Sequence, residues 1–253
     1  MYDIAATIVV YHPDMAQLRA AVESFRSDTR SLHLEIIDNS CDDAVFARLQ
    51  ELGVPVHQAP KNGGYGYGHN LGLSKLPPSR YWLVMNPDVV VHPGTPEMMC
   101  RIMDEQDDVV LLVPKVQFPD GRLQPLNKRL PSVADLFVRR FLPAEKCEAR
   151  IARYEMRDVG YDAPVEVPFC SGCFMLFRRE VAERIGGFDD HFFMYLEDCD
   201  ITRRAAEHGR CLYDPRALIT HHWQRGSHKS LKLMGVMFHS MWVYFNKWGW
   251  KWV

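Results

Sequence analysis

The order of its apolar runs constrains this chain more than anything else in it. Residues 4–11, 34–38, 54–58, 81–86 and 109–114 are short and strand-like, and the stretches between them at 13–27, 43–52, 68–75 and 95–105 carry helical periodicity. Strands alternating with helices build a parallel sheet covered on both faces. Open sheets of this kind bind ligands beyond the carboxyl ends of their strands, so chemistry is expected there. After residue 115 the rhythm loosens: a hairpin turn at Asp120-Gly121, a polar stretch over 130–162 that resolves into no element and reads equally as a loop, and a strand-like run over 165–178. A short helix closed by Gly186-Gly187, a helix from Glu197 to about His208 and a strand over 211–213 follow. There is no internal repeat, low-complexity tract or second-domain linker.

With 253 residues, 47% hydrophobic and 25% charged, the chain can bury a substantial core as one large domain. Its formal charge of −2 contains no long single-sign block, which argues against nucleic acid as a partner. Met1 leads straight into the first apolar alternation without a charged leader or cleavage site, and no apolar run approaches the ~20 residues a membrane span needs. The expected location is the cytoplasm. Seven cysteines are an odd number for a disulfide framework, and the lone CxxC, Cys170 to Cys173, lacks the second pair a zinc site wants.

Several constellations could carry chemistry. Thr7, Val9 and Tyr11 at one strand end and Asp38-Asn39-Ser40 at the next would lie side by side and could hold a base and ribose, although Asp in a turn also bonds its own backbone. Asn62-Gly63-Gly64-Tyr65-Gly66-Tyr67-Gly68-His69-Asn70 precedes a helix, whose amino terminus attracts phosphate. It is neither a Walker A loop nor a dinucleotide fingerprint after the first strand, and it reads equally as a flexible turn. Asn86-Pro87-Asp88 is a turn signal that also projects a carboxylate from a strand end, where Mg²⁺ or Mn²⁺ could be held.

Glu197, Asp198 and Asp200 leave an aromatic run that reads as core. Such acids often only complement a helix dipole, but here they are costly unless exposed, paired or functional, and a general base is one such function. Farther on, His221, His222, Arg225, His228 and Lys229 crowd metal ligands and phosphate-binding cations together.

Taken in order, Thr7-Ile8-Val9-Val10-Tyr11, Asp38-Asn39-Ser40, Asn62-Gly63-Gly64, Asn86-Pro87-Asp88, Cys170-Ser171-Gly172, Gly186-Gly187-Phe188-Asp189 and Glu197-Asp198-Cys199-Asp200 resemble family 2 glycosyltransferases over nearly the whole chain. The nearest subgroup is the bacterial rhamnosyltransferases of O-antigen and related polysaccharide assembly, which use dTDP-L-rhamnose. The resemblance implies a GT-A fold: one mixed Rossmann-like sheet flanked by helices, with a nucleotide-binding part over about 1–115, an acceptor-binding part over about 116–228 and a helix over 229–253. It implies that Thr7, Val9, Tyr11, Asp38 and Asn39 meet the nucleoside and that Asn62, Gly63 and Gly64 line ribose and diphosphate. Asp88 matches the last acid of the family's DxD motif, with Asn86 in place of the first, so a Mg²⁺ or Mn²⁺ ion would rest on Asp88 and a later residue, for which His222 is preferred to His221. Asp198 matches the catalytic base of an inverting transfer, with Glu197 orienting it and Arg225 or Lys229 meeting the diphosphate. The partners implied are a nucleoside-diphosphate sugar and a glycan or lipid-linked glycan acceptor.

Residues 231–253 combine Trp, Tyr, Phe and Met with lysines, a composition that suits a helix lying on the cytoplasmic face of the inner membrane. The same stripe suits packing on the catalytic domain or a homodimer contact. Rival functions are a glycosyltransferase using a UDP- or GDP-sugar, a nucleotidyltransferase, which would want a basic phosphate loop where Val9-Val10-Tyr11-His12-Pro13 stands, and an inactive sugar-nucleotide or glycan-binding protein.

Overall fold

The computed structural model describes residues 1–223 and 231–253. In chain order its first half runs β1 (Tyr2–Val10), α1 (Met15–Ser24), β2 (Leu32–Asp38), α2 (Asp43–Gln50), β3 (Val56–Gln58), α3 (Tyr65–Lys75), β4 (Ser79–Met85), β5 (Val89–Val91), α4 (Thr95–Glu105) and β6 (Val109–Gln117). The second half adds α5 (Val133–Phe141), α6 (Glu148–Tyr154), β7 (Val165–Glu166), β8 (Phe174–Arg178), α7 (Arg179–Arg184), α8 (Glu197–Ala206), β9 (Arg210–His221) and α9 (Leu231–Trp248).

The strands form one nine-stranded sheet in the order β3-β2-β1-β4-β8-β6-β9-β5, with β7 beside β9. β3, β2, β1 and β4 are mutually parallel, while β8 runs antiparallel to both β4 and β6. The sheet is therefore mixed, as the family resemblance implies. Alternation along β1 explains its two-sided burial: Ile4, Ala6, Ile8 and Val10 join the cluster under α1 and α4, while Ala5 joins the cluster under α7 and α8. Thr7 and Val9 face α3, whose Gly72 and Gly68 approach them closely. Each fully buried Ile or Leu contributes roughly 1.5–3 kcal/mol.

Where the structure departs from the sequence reading, local chemistry gives the reason. The run over 165–178 is two strands, because the backbone between them turns away to form the Cys170-Ser171-Gly172 loop. The strand expected over 211–213 continues to His221. Asp214-Pro215-Arg216 reads as a stop, but the strand carries it as an irregularity between the Pro114–Asp214 and Lys115–Leu218 pairings, with the Arg216 guanidinium on the Asp214 carboxylate at 2.7 Å. The unassigned stretch over 130–162 contains α5 and α6, and α5 opens with a reciprocal capping box between Ser132 and Asp135. The Asp120-Gly121 turn is present, with Phe118 N–H donating to Arg122 O at 2.8 Å.

α9 packs onto this body. Its Tyr244 and Phe245 share a cluster with Tyr154, Phe169, Phe192, Leu196 and Cys199, and its Lys247 and Trp248 Nε1 reach the buried Asp200 at 2.8 and 2.9 Å. Asp200 also holds Arg204 at 2.8 Å, so this acid of the Glu197–Asp200 cluster is structural.

Candidate active site

The carboxyl ends of β1 and β2 open on a cleft of about 470 Å³ lined by Tyr11, Ser40, Cys41, Asn62, Phe193, Lys232 and Val236. Asp38, at the end of β2 two residues before Ser40, is fully buried, with one carboxylate oxygen accepting Ser40 N–H at 2.8 Å and the other, Oδ2, without a partner among the described residues. Asn39 donates to Gly64 O at 2.9 Å and leaves its own Oδ1 unpartnered. Buried acceptors left open in this way are costly unless a ligand or water completes them. Tyr11 is 60% exposed at the mouth.

Thr7 does not reach this cleft. It is fully buried, its Oγ1 accepting Trp82 Nε1–H at 3.0 Å and paired with His69 Nδ1 at 2.8 Å. Burial holds His69 down at about 3, so the ring is neutral. Thr7 sits where a strand-end pattern places it in sequence, but its side chain is spent inside the sheet. Val9 is likewise buried, under Gly68.

Gly64 joins the two halves of the site. Its backbone has φ +98°, and a Cβ there would stand 2.0 Å from Phe193 O. The absence of a side chain lets Tyr65 N–H donate to that same oxygen at 2.9 Å, bringing the segment that leads into α8 against the glycine loop. Asn62 Oδ1 accepts Gly64 N–H at 3.2 Å, and Gly63 lies against the Tyr67 ring. Just before α8, Tyr195 and Leu196 adopt φ of 74° and 66°, left-handed values that are uncommon for non-glycine residues and tend to cluster at functional sites.

That turn presents Glu197 and Asp198 in different environments. Asp198 is partly exposed and accepts Gly172 N–H on Oδ2 at 3.1 Å and Cys199 N–H on Oδ1 at 3.0 Å. Glu197 is buried, its Oε2 unpartnered, and burial followed by the neighbouring Asp198 charge pushes its carboxyl up to about 8. Glu197 therefore keeps its proton at neutral pH. Because Glu197 keeps a proton in the native state that the unfolded chain loses above about 4.5, stability falls as pH rises from there to about 8 and levels off beyond. Thermal melts between those limits should show Glu197→Gln losing clearly less stability than wild type; parallel curves would contradict a proton on Glu197.

Tyr65, inside the glycine-rich run but given no role by it, and Lys128, which no motif marks, belong to this site. The Tyr65 hydroxyl lies 2.6 Å from Gly172 O and 3.1 Å from Asn86 Oδ1, and burial, then the charges of Glu197, Cys173, Asp198 and Asp88, keep it protonated. Lys128 is buried over the Phe169 ring at 4.4 Å; burial lowers its pKa while Asp198 opposes that shift.

Opposite stands the Asn86-Pro87-Asp88 turn, pinned by Asn86 N–H donating to Cys173 O at 2.9 Å and by His222 N–H donating to Asp88 O at 2.9 Å. The ring that faces Asp88 is that of His221, with Nε2 3.3 Å from Asp88 Oδ1. His222, which the sequence favours as the metal ligand, follows the end of β9 and meets Asp88 O through its backbone N–H, so the imidazole placed beside the carboxylate is that of His221. Gln124 donates from Nε2 to His221 O at 3.4 Å, which aims its Oε1 at His221 Nδ1, 2.7 Å away. This network holds the ring through Nδ1 and leaves Nε2 directed at the Asp88 carboxylate. An imidazole nitrogen and a carboxylate oxygen this close, with Nε2 buried and without a hydrogen bond among the described residues, are groups that could hold a divalent cation. Among the described residues no group of three or more His, Cys, Asp and Glu forms a larger ligand set, so diphosphate and water would supply the rest. Arg225 and Lys229 lie outside the described residues.

Comparison with known proteins bears directly on this arrangement. Residues 3–235 match the sequence model of a family described as "Glycosyltransferase like family 2". N-acetylglucosaminyl-diphospho-decaprenol L-rhamnosyltransferase of Mycobacterium tuberculosis (strain H37Rv) is 26% identical over 242 residues, covering 88% of this chain and 77% of that protein. Rhamnosyltransferase WbbL of Escherichia coli (strain K12) is 22% identical over 247 residues, covering 92% and 88%. Among solved structures, GalNAc-T7 with UDP, GalNAc and Mn²⁺ superposes with a TM-score of 0.65 at 16% identity over 93% of this chain. The chain spans 47% of that longer protein, and the likeness is one of fold.

Proposed function

This chain belongs to glycosyltransferase family 2, and on that premise we propose that it transfers a sugar, with inversion, from a nucleoside diphosphate to a hydroxyl of a bacterial glycan or lipid-linked glycan acceptor. The proposed donor is dTDP-L-rhamnose, because the relatives from M. tuberculosis and E. coli are both named rhamnosyltransferases. The nucleotide-binding part is assigned to about 1–115 and the acceptor-binding part to about 116–228. A lipid-linked acceptor would bring the enzyme to a membrane face.

The observation that carries this reading is the pairing of a partly exposed Asp198, held by two backbone N–H groups, with a buried Glu197 that retains its proton. Asp198 takes the proton of the acceptor hydroxyl as that oxygen attacks the anomeric carbon from the face opposite the diphosphate. The anomeric C–O bond breaks and its electron pair leaves on the diphosphate. Neutral Glu197 removes a competing charge and orients the acceptor. Asp38, Asn39 and Tyr11 receive the nucleoside, and Asn62, Gly63, Gly64 and Asn86 line the ribose and diphosphate, an arrangement that preorganises the reactants. A Mg²⁺ or Mn²⁺ ion on Asp88 and His221 would neutralise charge on the departing diphosphate. Arg225 and Lys229 are proposed to do the same on the strength of their sequence position.

Ligand-dependent thermal stability tests the donor site. At a hundredfold excess over Kd a nucleotide sugar adds about 2.7 kcal/mol to stability, a rise of several degrees. With Mn²⁺, dTDP and dTDP-rhamnose should raise the Tm of wild type by that amount, and EDTA should remove most of the rise. Asp88→Ala and His221→Ala should each lose the metal-dependent part, with donor affinity down about tenfold or more. Full shifts in both variants would refute the metal assignment, a preference for UDP- or GDP-sugars would move the donor, and no shift with any nucleotide would refute the site.

A further inference from the structure

Helix α5 has no fully buried residue. Its inner edge, Val133 and Leu136, packs against the cluster that holds α9, whereas Phe137, Phe141 and the following Leu142 are 51%, 42% and 45% exposed. α9 is divided in the same way: Ser240, Tyr244 and Phe245 are buried, while Phe238 and Trp242, one turn apart, are 47% and 59% exposed. The two exposed edges are continuous, with Phe137 4.9 Å from Phe141 and Phe141 stacked on Phe238 at 6.3 Å between ring centroids. The tail completes the surface, since Lys251 O and Trp252 O accept the N–H groups of Val133 and Ala134 at 2.8 and 3.1 Å, with Trp250 and Trp252 exposed alongside.

Charge distinguishes the partner. Residues 224–253 contain Arg225, Lys229, Lys232, Lys247 and Lys251 and no Asp or Glu, in a chain whose net charge is −2; of these, Lys247 is paired with Asp189 and Asp200. On α5, Arg139 and Arg140 follow the exposed Phe137, and its one acid, Asp135, is held by Ser132 and Arg150. Contiguous exposed aromatics shared between a C-terminal segment without Asp or Glu and a helix whose one acid is paired suit an anionic bilayer surface. No described helix is long and apolar enough to cross a membrane.

We propose that α5, α9 and the C-terminal tail form one docking face for an anionic lipid bilayer, with Phe137, Phe141, Phe238 and Trp242 entering the interfacial zone. This rests on the lipid-linked acceptor for its purpose, but adsorption is measured separately from transfer. The same helix supplies Lys232 and Val236 to the cleft beside Tyr11 and Ser40, so the docked face and the donor site share an element.

Flotation of the full chain with phosphatidylglycerol-containing vesicles, against pure phosphatidylcholine, tests it. Wild type should float with the anionic vesicles, less so at high salt, and Phe141→Ser/Trp242→Ser should lower partitioning about tenfold or more. The double variant should keep the wild-type melting curve and nucleotide-sugar shift. Failure of wild type to float, or equal flotation of the variant, overturns the proposal. So does a wild-type dimer that the double substitution dissociates while neither form floats. Flotation without any nucleotide-sugar shift upholds the docking face and counts against the proposed transferase instead.

Discussion

Asp198→Asn should leave nucleotide-sugar binding unchanged and cut transfer by about 10²- to 10⁴-fold, the usual contribution of a general base. The loss should fall on kcat rather than on donor KM, because proton removal matters only in the transition state. Both carboxylate oxygens accept backbone N–H groups, from Gly172 and Cys199. An amide can satisfy only one of them, so the variant should also lose about 1 kcal/mol of stability. Melting curves separate that cost from the catalytic one. Equal turnover by wild type and variant would remove Asp198 from the mechanism.

Gly64→Ala should be as damaging by a different route. The added Cβ would stand 2.0 Å from Phe193 O at a φ of +98°, so it meets backbone that has no rotamer with which to yield. Relief requires breaking the 2.9 Å hydrogen bond from Tyr65 N–H to Phe193 O, which holds the glycine loop against the turn leading to Glu197 and Asp198. Strain and lost contact together should cost roughly 3 kcal/mol or more, lowering Tm by about 6–12 °C and transfer with it. Gly94→Ala is the control. Its φ is +81°, but its Cβ would meet nothing within 4 Å, so it should cost only about 1 kcal/mol and leave transfer intact. Equal effects at the two positions would mean that the close approach at Gly64 has no special role.

The contrast between these sites also explains what the sequence disclosed. From β1 to α4 the elements fall close to where the pattern puts them, except for β5, whose three residues directly follow the Asn86-Pro87-Asp88 turn and carry no period of their own. β9 was cut short because Asp214-Pro215-Arg216 is written like a turn, and only its partner strand β6 reveals that the strand continues. α5 is a nine-residue helix inside a polar, charge-rich stretch, and it leaves Phe137 and Phe141 exposed where a helix packed on a core would bury them.

In the site, a motif could point to the Glu197-Asp198 pair but could not divide the roles, since burial separates two adjacent carboxyls. Neither could it choose between His221 and His222, a choice made by which face of β9 turns toward Asp88. Tyr65 and Lys128 reach the site through contacts with residues more than forty positions away in the sequence, Gly172 and Phe169 among them, and no local spacing encodes those.

The most direct test of the central claim is sugar transfer itself, followed with labelled dTDP-L-rhamnose and a lipid-linked glycan acceptor in vesicles, in the presence of Mn²⁺. The account predicts labelled lipid product with inverted anomeric configuration and an equal amount of dTDP. Release of a nucleoside monophosphate, retention of configuration, or no product from dTDP-, UDP- or GDP-sugars would contradict it.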